Sequence, residues 1–320
     1  MVTNDRNSKN ISFPAQLGIL LGLIGAGLII GSLISAGVWL IMTGRPILSM
    51  EADILKPQYY YAVMVIQAIS TFFIFFLPVC FFALICYRKP AKFIGFNTNI
   101  NYRQILLILG ILILTFPLSG ALAELNKTLP ISSQWAAKFK AMENSRAAQE
   151  AALININSFA KYIISLIVIG LLPGLFEEVC FRSGVQNILA RWFKTPWPAI
   201  ILTAIIFSLV HVSYYGFLVR FALGVILGFI FYYSGSIWLS VFFHFLYNGF
   251  QVTALYIFNL SGTQNKKDIE QNFPLWAGVI ALALIIYLFY KLKKISLTQR
   301  AKIIEEDADD DFHNWATAQS

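Results

Sequence analysis

Three short polar signatures interrupt apolar sequence between Glu177 and Asn248. They read Glu177-Glu178-Val179-Cys180-Phe181-Arg182, Phe207-Ser208-Leu209-Val210-His211 and His244-Phe245-Leu246-Tyr247-Asn248. Ionisable groups inside hydrocarbon are costly, so they need partners and mark function. The chain has three histidines, and two of them stand in these signatures. Adjacent residues on a helix point about 100° apart, whereas residues four apart share a face. Glu178 and Arg182 therefore share a face, with the acid N-terminal, the favourable order for an ion pair. Glu177 points elsewhere and is left to face something other than Arg182. Ser240, His244 and Asn248 are spaced by four and form one polar stripe. Lipid would not satisfy that stripe, so it faces inward. His211 supplies a second imidazole.

Two chemistries fit this set. In the first, Glu177 beside a neutral imidazole poises a water as nucleophile, and an imidazole N–H with the Asn248 amide stabilises an oxyanion. In the second, Glu177, His211 and His244 bind zinc, which accepts two His and one Glu with a position open for water. Glu178 would then be the base.

The elements that must carry these residues are membrane helices. The 320 residues are 58% hydrophobic and 12% charged, with a mean hydropathy of +0.69, whereas a soluble domain carries about 25% charged residues. A span needs about 20 apolar residues. That length predicts an all-α, polytopic membrane bundle of about eight spans, near 16–42, 61–86, 104–123, 158–190, 197–214, 216–233, 237–258 and 275–290. The first is too long for the apolar part of a cleaved signal peptide and is expected to remain as an anchor. Pro173 and Gly174, just before the first signature, predict a kink that opens backbone carbonyls or water near it. Gly224 and Gly228 permit close helix contact.

The net charge is +8, but the basic residues cluster between apolar runs, which fits membrane orientation and not nucleic-acid binding. Arg88, Lys89, Lys92 and Arg103, then Arg191 and Lys194, then Lys291, Lys293 and Lys294 fall on one side if both termini are cytoplasmic. The expected organisation is a cytoplasmic segment 1–15, a transmembrane domain 16–291 with its core at 158–258, and a cytoplasmic tail 292–320. The segment around Trp135–Met142 reads as a solvated loop helix in preference to one lying on the membrane. The acidic run Glu305–Asp311 reads as disordered, and His313 within it as uninvolved in catalysis. Cys80, Cys86 and Cys180 read as buried thiols without disulfide or thiolate metal site. Phe207 reads as a packing residue, and Tyr214 and Tyr215 as interfacial aromatics.

The three signatures together resemble those of the CPBP family, the type II CAAX-protease and bacteriocin-processing intramembrane proteases also called the Abi family. Its pattern is EExxxR, then FxxxH, then HxxxN or HxxxD. Phe181-Arg182-Ser183-Gly184 and Ser234-Gly235-Ser236-Ile237-Trp238 resemble the family's flanking sequence, with Ser234 where members often carry Thr. The resemblance covers roughly residues 170–248. It implies an eight-helix core with a site opening toward the cytoplasm and hydrolysis of a peptide bond in or near the membrane. By position Glu177 would activate water with His211, His244 and Asn248 would bind the oxyanion, and Glu178 and Arg182 would be structural. The implied partners are membrane lipid and a peptide or protein substrate, lipidated in CAAX-type members. The family is commonly filed under metalloproteases, although glutamate-dependent hydrolysis without metal has also been argued, so zinc remains an open cofactor. The expected location is the plasma membrane. Two other classes compete: a non-catalytic immunity or scaffold protein on the same fold, and an ion-coupled transporter, against which stands the absence of an inverted repeat.

Overall fold

The structure, a computed structural model, describes residues 8–153, 156–261 and 273–317. Among them it is helical without strands. The helices are α1 (Phe13–Thr43), α2 (Pro57–Cys86), α3 (Tyr102–Thr128), α4 (Ser133–Leu153) and α5 (Phe159–Trp192), followed by α6 (Pro196–Val210), α7 (Phe217–Ser234), α8 (Ile237–Leu260) and α9 (Leu275–Thr317). Seven of them, all but α4 and α6, are long and apolar enough to cross a membrane. The chain is thus an all-α polytopic bundle.

Local sequence sets the helix ends. Asn101 opens α3 with a capping box, its side chain accepting from the Arg103 N–H while Gln104 accepts from the Asn101 N–H. Gly44 and Gly235 close α1 and α7 in the left-handed conformation that a side chain disfavours. Pro196 starts α6 at the position where a missing N–H costs nothing.

Two sequence expectations change. The span expected at 197–214 stops at Val210, and its 15 residues make a helix of about 22 Å, short of the roughly 30 Å hydrocarbon core. The chain turns because Val212 takes φ 48°, which cannot continue a right-handed helix. His211 therefore caps a short helix instead of lying within a span. The second change is at the far end, where the acidic run Glu305–Asp311 lies in helical backbone. Beyond Gly278 the α9 sequence holds neither Gly nor Pro to break it.

The bundle is built from helix pairs. α3 lies along α9, with Gln104 Nε2 donating to Ser296 Oγ at 3.0 Å. α6 and α7 are antiparallel neighbours: a Cβ on Gly224 would lie 2.9 Å from Ala204, and one on Gly228 2.8 Å from Ile200. Both glycines thus permit the close contact expected of them. α5 crosses α8 at small residues as well, since a Cβ on Gly174 would lie 3.1 Å from the Phe245 backbone nitrogen. That crossing is what brings the first and third signatures together.

One end of the bundle gathers the basic connections. The Lys9 N–H donates to the Cys86 carbonyl and the Ile237 N–H to the Gly95 carbonyl, each at 3.0 Å. Arg191 donates to the Tyr87 hydroxyl, and its guanidinium lies over the Tyr87 and Phe93 rings. Cys86 and Cys180 are buried and Cys80 partly so, all three as free thiols.

At the opposite end the α1–α2 connection is held by Asp53, which accepts from Arg45 Nε at 2.9 Å, Lys56 Nζ at 2.6 Å and Ser49 Oγ at 2.8 Å. These donors, Lys56 first, hold its carboxyl well below the usual carboxylate range. A depressed carboxyl stabilises the fold above the ordinary value near 3.9, and that contribution is lost as pH falls through the lower folded value. Asp53→Asn is therefore expected to lower the unfolding midpoint in detergent at pH 7. The gap between variant and wild type should close on acidification below about pH 4. Equal midpoints at pH 7 would show that the network contributes nothing to stability.

Candidate active site

Glu178 sits at the junction of the three signatures. Its side chain and that of Arg182 are both 0% exposed, and Arg182 Nε donates to Glu178 Oε2 at 2.9 Å. The pairing expected from the i, i+4 spacing is present. The other oxygen, Oε1, lies 3.0 Å from His244 Nδ1, a contact between residues 66 positions apart that helical spacing could not reveal. With Nδ1–H donating to a carboxylate, Nε2 is the nitrogen of His244 left to face other groups. Both Glu178 oxygens are engaged, so Glu178 does not fit the role of base that the zinc alternative requires.

Glu177 is oriented differently, as the 100° step requires. It is half-buried, lies within electrostatic reach of His244, Glu178, Arg182 and Arg220, and makes no side-chain hydrogen bond among the described residues.

The local helix geometry is part of the site. α5 runs as π-helix over Leu166–Leu171 and again over Val179–Gln186, on either side of the two acids. Such wide turns are common at functional sites. Pro173 has no N–H to offer the Ile169 carbonyl four residues before it. Asn248 Nδ2 approaches that carbonyl at 3.5 Å. The opened carbonyl expected upstream of the acids thus faces the amide of the third signature. Ser240, at the other end of the stripe, donates to the Leu227 carbonyl of α7 at 3.4 Å, so the stripe faces protein as the cost of polar groups in lipid demands.

His211 is fixed by its own helix end. Its Nδ1 lies 2.7 Å from the Phe207 carbonyl. A carbonyl only accepts, so Nδ1 carries the proton and Nε2 of the neutral ring is the acceptor. The Phe207 ring lies 4.8 Å from the His211 ring and 6.2 Å from the His244 ring, centroid to centroid, and the Arg182 guanidinium stands 5.4 Å from its centre. Arg182 Nη1 and Nη2 are buried without hydrogen-bond partners, so the face of Phe207 is part of what holds that cation. Phe207 packs, as expected, but between both imidazoles and the guanidinium.

The structure thus brings Glu177, Glu178, Arg182, His244 and Asn248 together across α5 and α8, and sets His211 beside them through Phe207. Among the described residues no three His, Cys, Asp or Glu side chains are grouped so as to hold a metal ion. The zinc set of Glu177, His211 and His244 does not fit this arrangement.

Three features escaped the sequence reading. Arg220 of α7 lies against Gly216 and acts electrostatically on Glu177 and Tyr247. As a charge in an apolar span, it carried the signal that singled out the other three signatures. Asn126 reaches the turn after His211 from α3. Tyr214 stacks on Phe139 of α4 with centroids 5.0 Å apart, a contact that spacing could not reveal. Glu143 of α4 accepts from Ser213 Oγ at 3.0 Å. α4 is therefore a loop helix docked on the turn after His211.

Residues 159–250 match the family model described as type II CAAX prenyl endopeptidase Rce1-like, less than a third of the chain but all three signatures. No curated protein and no solved structure gives a match. The segment that bears the paired acids, both membrane histidines and Asn248 is similar to the Rce1-like type II CAAX prenyl endopeptidases, which supports the CPBP resemblance carried by the three signatures.

Proposed function

We propose that this protein hydrolyses a peptide bond near the cytoplasmic membrane face with water activated by Glu177 and His211. The observation that carries the reading is the division of labour between adjacent acids. Glu178 is consumed by Arg182 and His244, while Glu177 borders the same histidine without a hydrogen bond of its own.

In the proposed sequence the substrate carbonyl lies between Glu177 and the His244–Asn248 pair. Glu177 takes a proton from water, and His211, whose acceptor nitrogen is Nε2, orients that water. Hydroxide adds to the carbonyl carbon. His244, as an imidazolium held by Glu178 at Nδ1, donates from Nε2 to the oxyanion together with the Asn248 amide. Charge then balances locally, Glu178 against Arg182 and Glu177 against His244. The proton on Glu177 passes to the departing amine, the C–N bond breaks, and the carboxylate is restored.

The substrate class that the family match supports is a lipidated peptide of the CAAX type. An orientation with both termini cytoplasmic is supported by the basic connections gathered at one end of the bundle, and a plasma-membrane location is proposed with it. α6 and α7 run antiparallel, so they leave the sidedness of the other spans unchanged whether or not α6 crosses fully.

The test is cleavage by purified protein of a farnesylated CAAX peptide and its unprenylated counterpart, each with and without chelator. Cleavage confined to the farnesylated peptide and indifferent to chelation is the expected result. Loss on chelation with recovery on adding zinc would overturn the metal-independent mechanism. Failure to cleave either peptide, in a preparation that remains folded, would favour the scaffold reading.

A further inference from the structure

The turn after His211 is held from outside the segment that matches the protease family. Asn126, in the last turn of α3, is 1% exposed. Its Nδ2 donates to the Tyr214 carbonyl and its Oδ1 accepts from the Leu218 N–H, each at 2.9 Å. One planar amide thus brackets the residues that lead the chain from His211 into α7. Further bonds complete the turn. Ser208 Oγ donates to the Phe217 carbonyl at 2.8 Å, and Ser213 Oγ accepts from the Gly216 N–H at 3.1 Å.

These bonds are needed because the turn cannot hold itself. The turn after α6 is non-helical backbone, so its N–H and carbonyl groups lack the partners a helix would give them and need others. Val212, a β-branched residue, adopts φ 48°, a conformation that its side chain strongly disfavours. Local preference alone would let the turn relax, carrying His211 with it. A donor and an acceptor on one short side chain are what is needed to hold a carbonyl and an N–H four residues apart, and Asn provides both.

We propose that Asn126 is a positioning residue for His211. By fixing Tyr214 and Leu218 it keeps the His211 imidazole, and so its Nε2, aimed at the reacting atoms. The inference rests on the reading of His211 as the partner of Glu177. It adds that α3, which no family match covers, is part of the catalytic apparatus.

The experiment uses full-length protein in detergent: wild type, Asn126→Ala, Asn126→Asp and Glu177→Gln. Two readouts are taken. In steady-state cleavage of the farnesylated peptide, Asn126→Ala is expected to lower kcat about 10- to 100-fold, as a displacement near 1 Å can, with KM within about twofold of wild type. In histidine-labelled protein, with signals assigned by single His→Ala variants, Asn126→Ala is expected to shift or split the His211 nitrogen resonances. Those of His244, anchored on Glu178, should stay in place. Should Asn126→Ala not be recovered folded, Asn126→Asp, which keeps the acceptor for Leu218, carries the same readouts. His211 resonances superimposable on wild type in a folded Asn126 variant overturn the proposal, whatever the activity. A wild-type rate that survives Glu177→Gln overturns the catalytic reading instead, and the resonance comparison still decides whether Asn126 positions His211.

Discussion

Replacing Glu177 by Gln is expected to lower kcat for peptide cleavage by about 10²- to 10⁴-fold, the range lost when a positioned general base is removed. Gln keeps the shape of the side chain but cannot take a proton from water. The variant should fold normally, because the Glu177 carboxylate makes no hydrogen bond among the described residues whose loss would destabilise α5. Substrate affinity should change little, since the loss is felt where the water is deprotonated. The check is kcat and KM for wild type and variant, with the unfolding midpoint of each in the same detergent. A variant that cleaves at the wild-type rate would show that the base lies elsewhere, and the mechanism above would fall with it. A lost rate with a collapsed midpoint would assign Glu177 to stability instead.

The second large effect concerns stability and activity separately. Glu178 and Arg182 are both 0% exposed, and removing one partner of a buried pair leaves the other as an uncompensated charge, at a cost of about 3–5 kcal/mol. Glu178→Leu or Arg182→Met alone should therefore lower the unfolding free energy by roughly that amount. The double variant removes both charges and should recover much of the loss. It should not recover cleavage, because His244 Nδ1 would still lack its acceptor. Unfolding in mixed micelles followed by tryptophan fluorescence gives the stabilities, and the peptide assay gives the rates. A double variant that regains activity would show that the Glu178–His244 bond has no part in the reaction. Singles as stable as wild type would show that the pair is not buried in the protein as it folds in the membrane.

These two predictions differ in how far the sequence alone reached toward them. The pairing of Glu178 with Arg182, and the divergence of Glu177, follow from helical period, because a four-residue separation is fixed within one element. The polar stripe of Ser240, His244 and Asn248 follows for the same reason. The hydrogen bond from His244 to Glu178 does not, since it depends on how closely α5 crosses α8. That distance is set by Gly174 against the Phe245 backbone. The contact of Asn248 with the Ile169 carbonyl was half visible: Pro173 announced that a carbonyl would lose its donor, but not which side chain would approach it.

The position of His211 shows where the sequence reading broke down. Apolar content predicts a span through to Tyr214, whereas the helix ends at Val210. Hydropathy measures the cost of exposure to lipid, and says nothing of the bonds from Asn126 and Glu143 that hold this turn. Asn126 pays no visible toll in the sequence of α3 and gives no sign there of its partners 88 and 92 positions away. Phe207 was legible as an apolar residue, but its place between two imidazoles and a guanidinium is a property of three helices at once. The sequence by itself determined the membrane class, the helical periods and the chemical identity of the site groups, because each of these is local. Only the tertiary structure decided that Glu178 also holds His244, which nitrogen of each histidine is held, and what anchors the turn beside them. Those outcomes depend on side chains brought within 3 Å or so by packing between helices, where the energy of a hydrogen bond is decided.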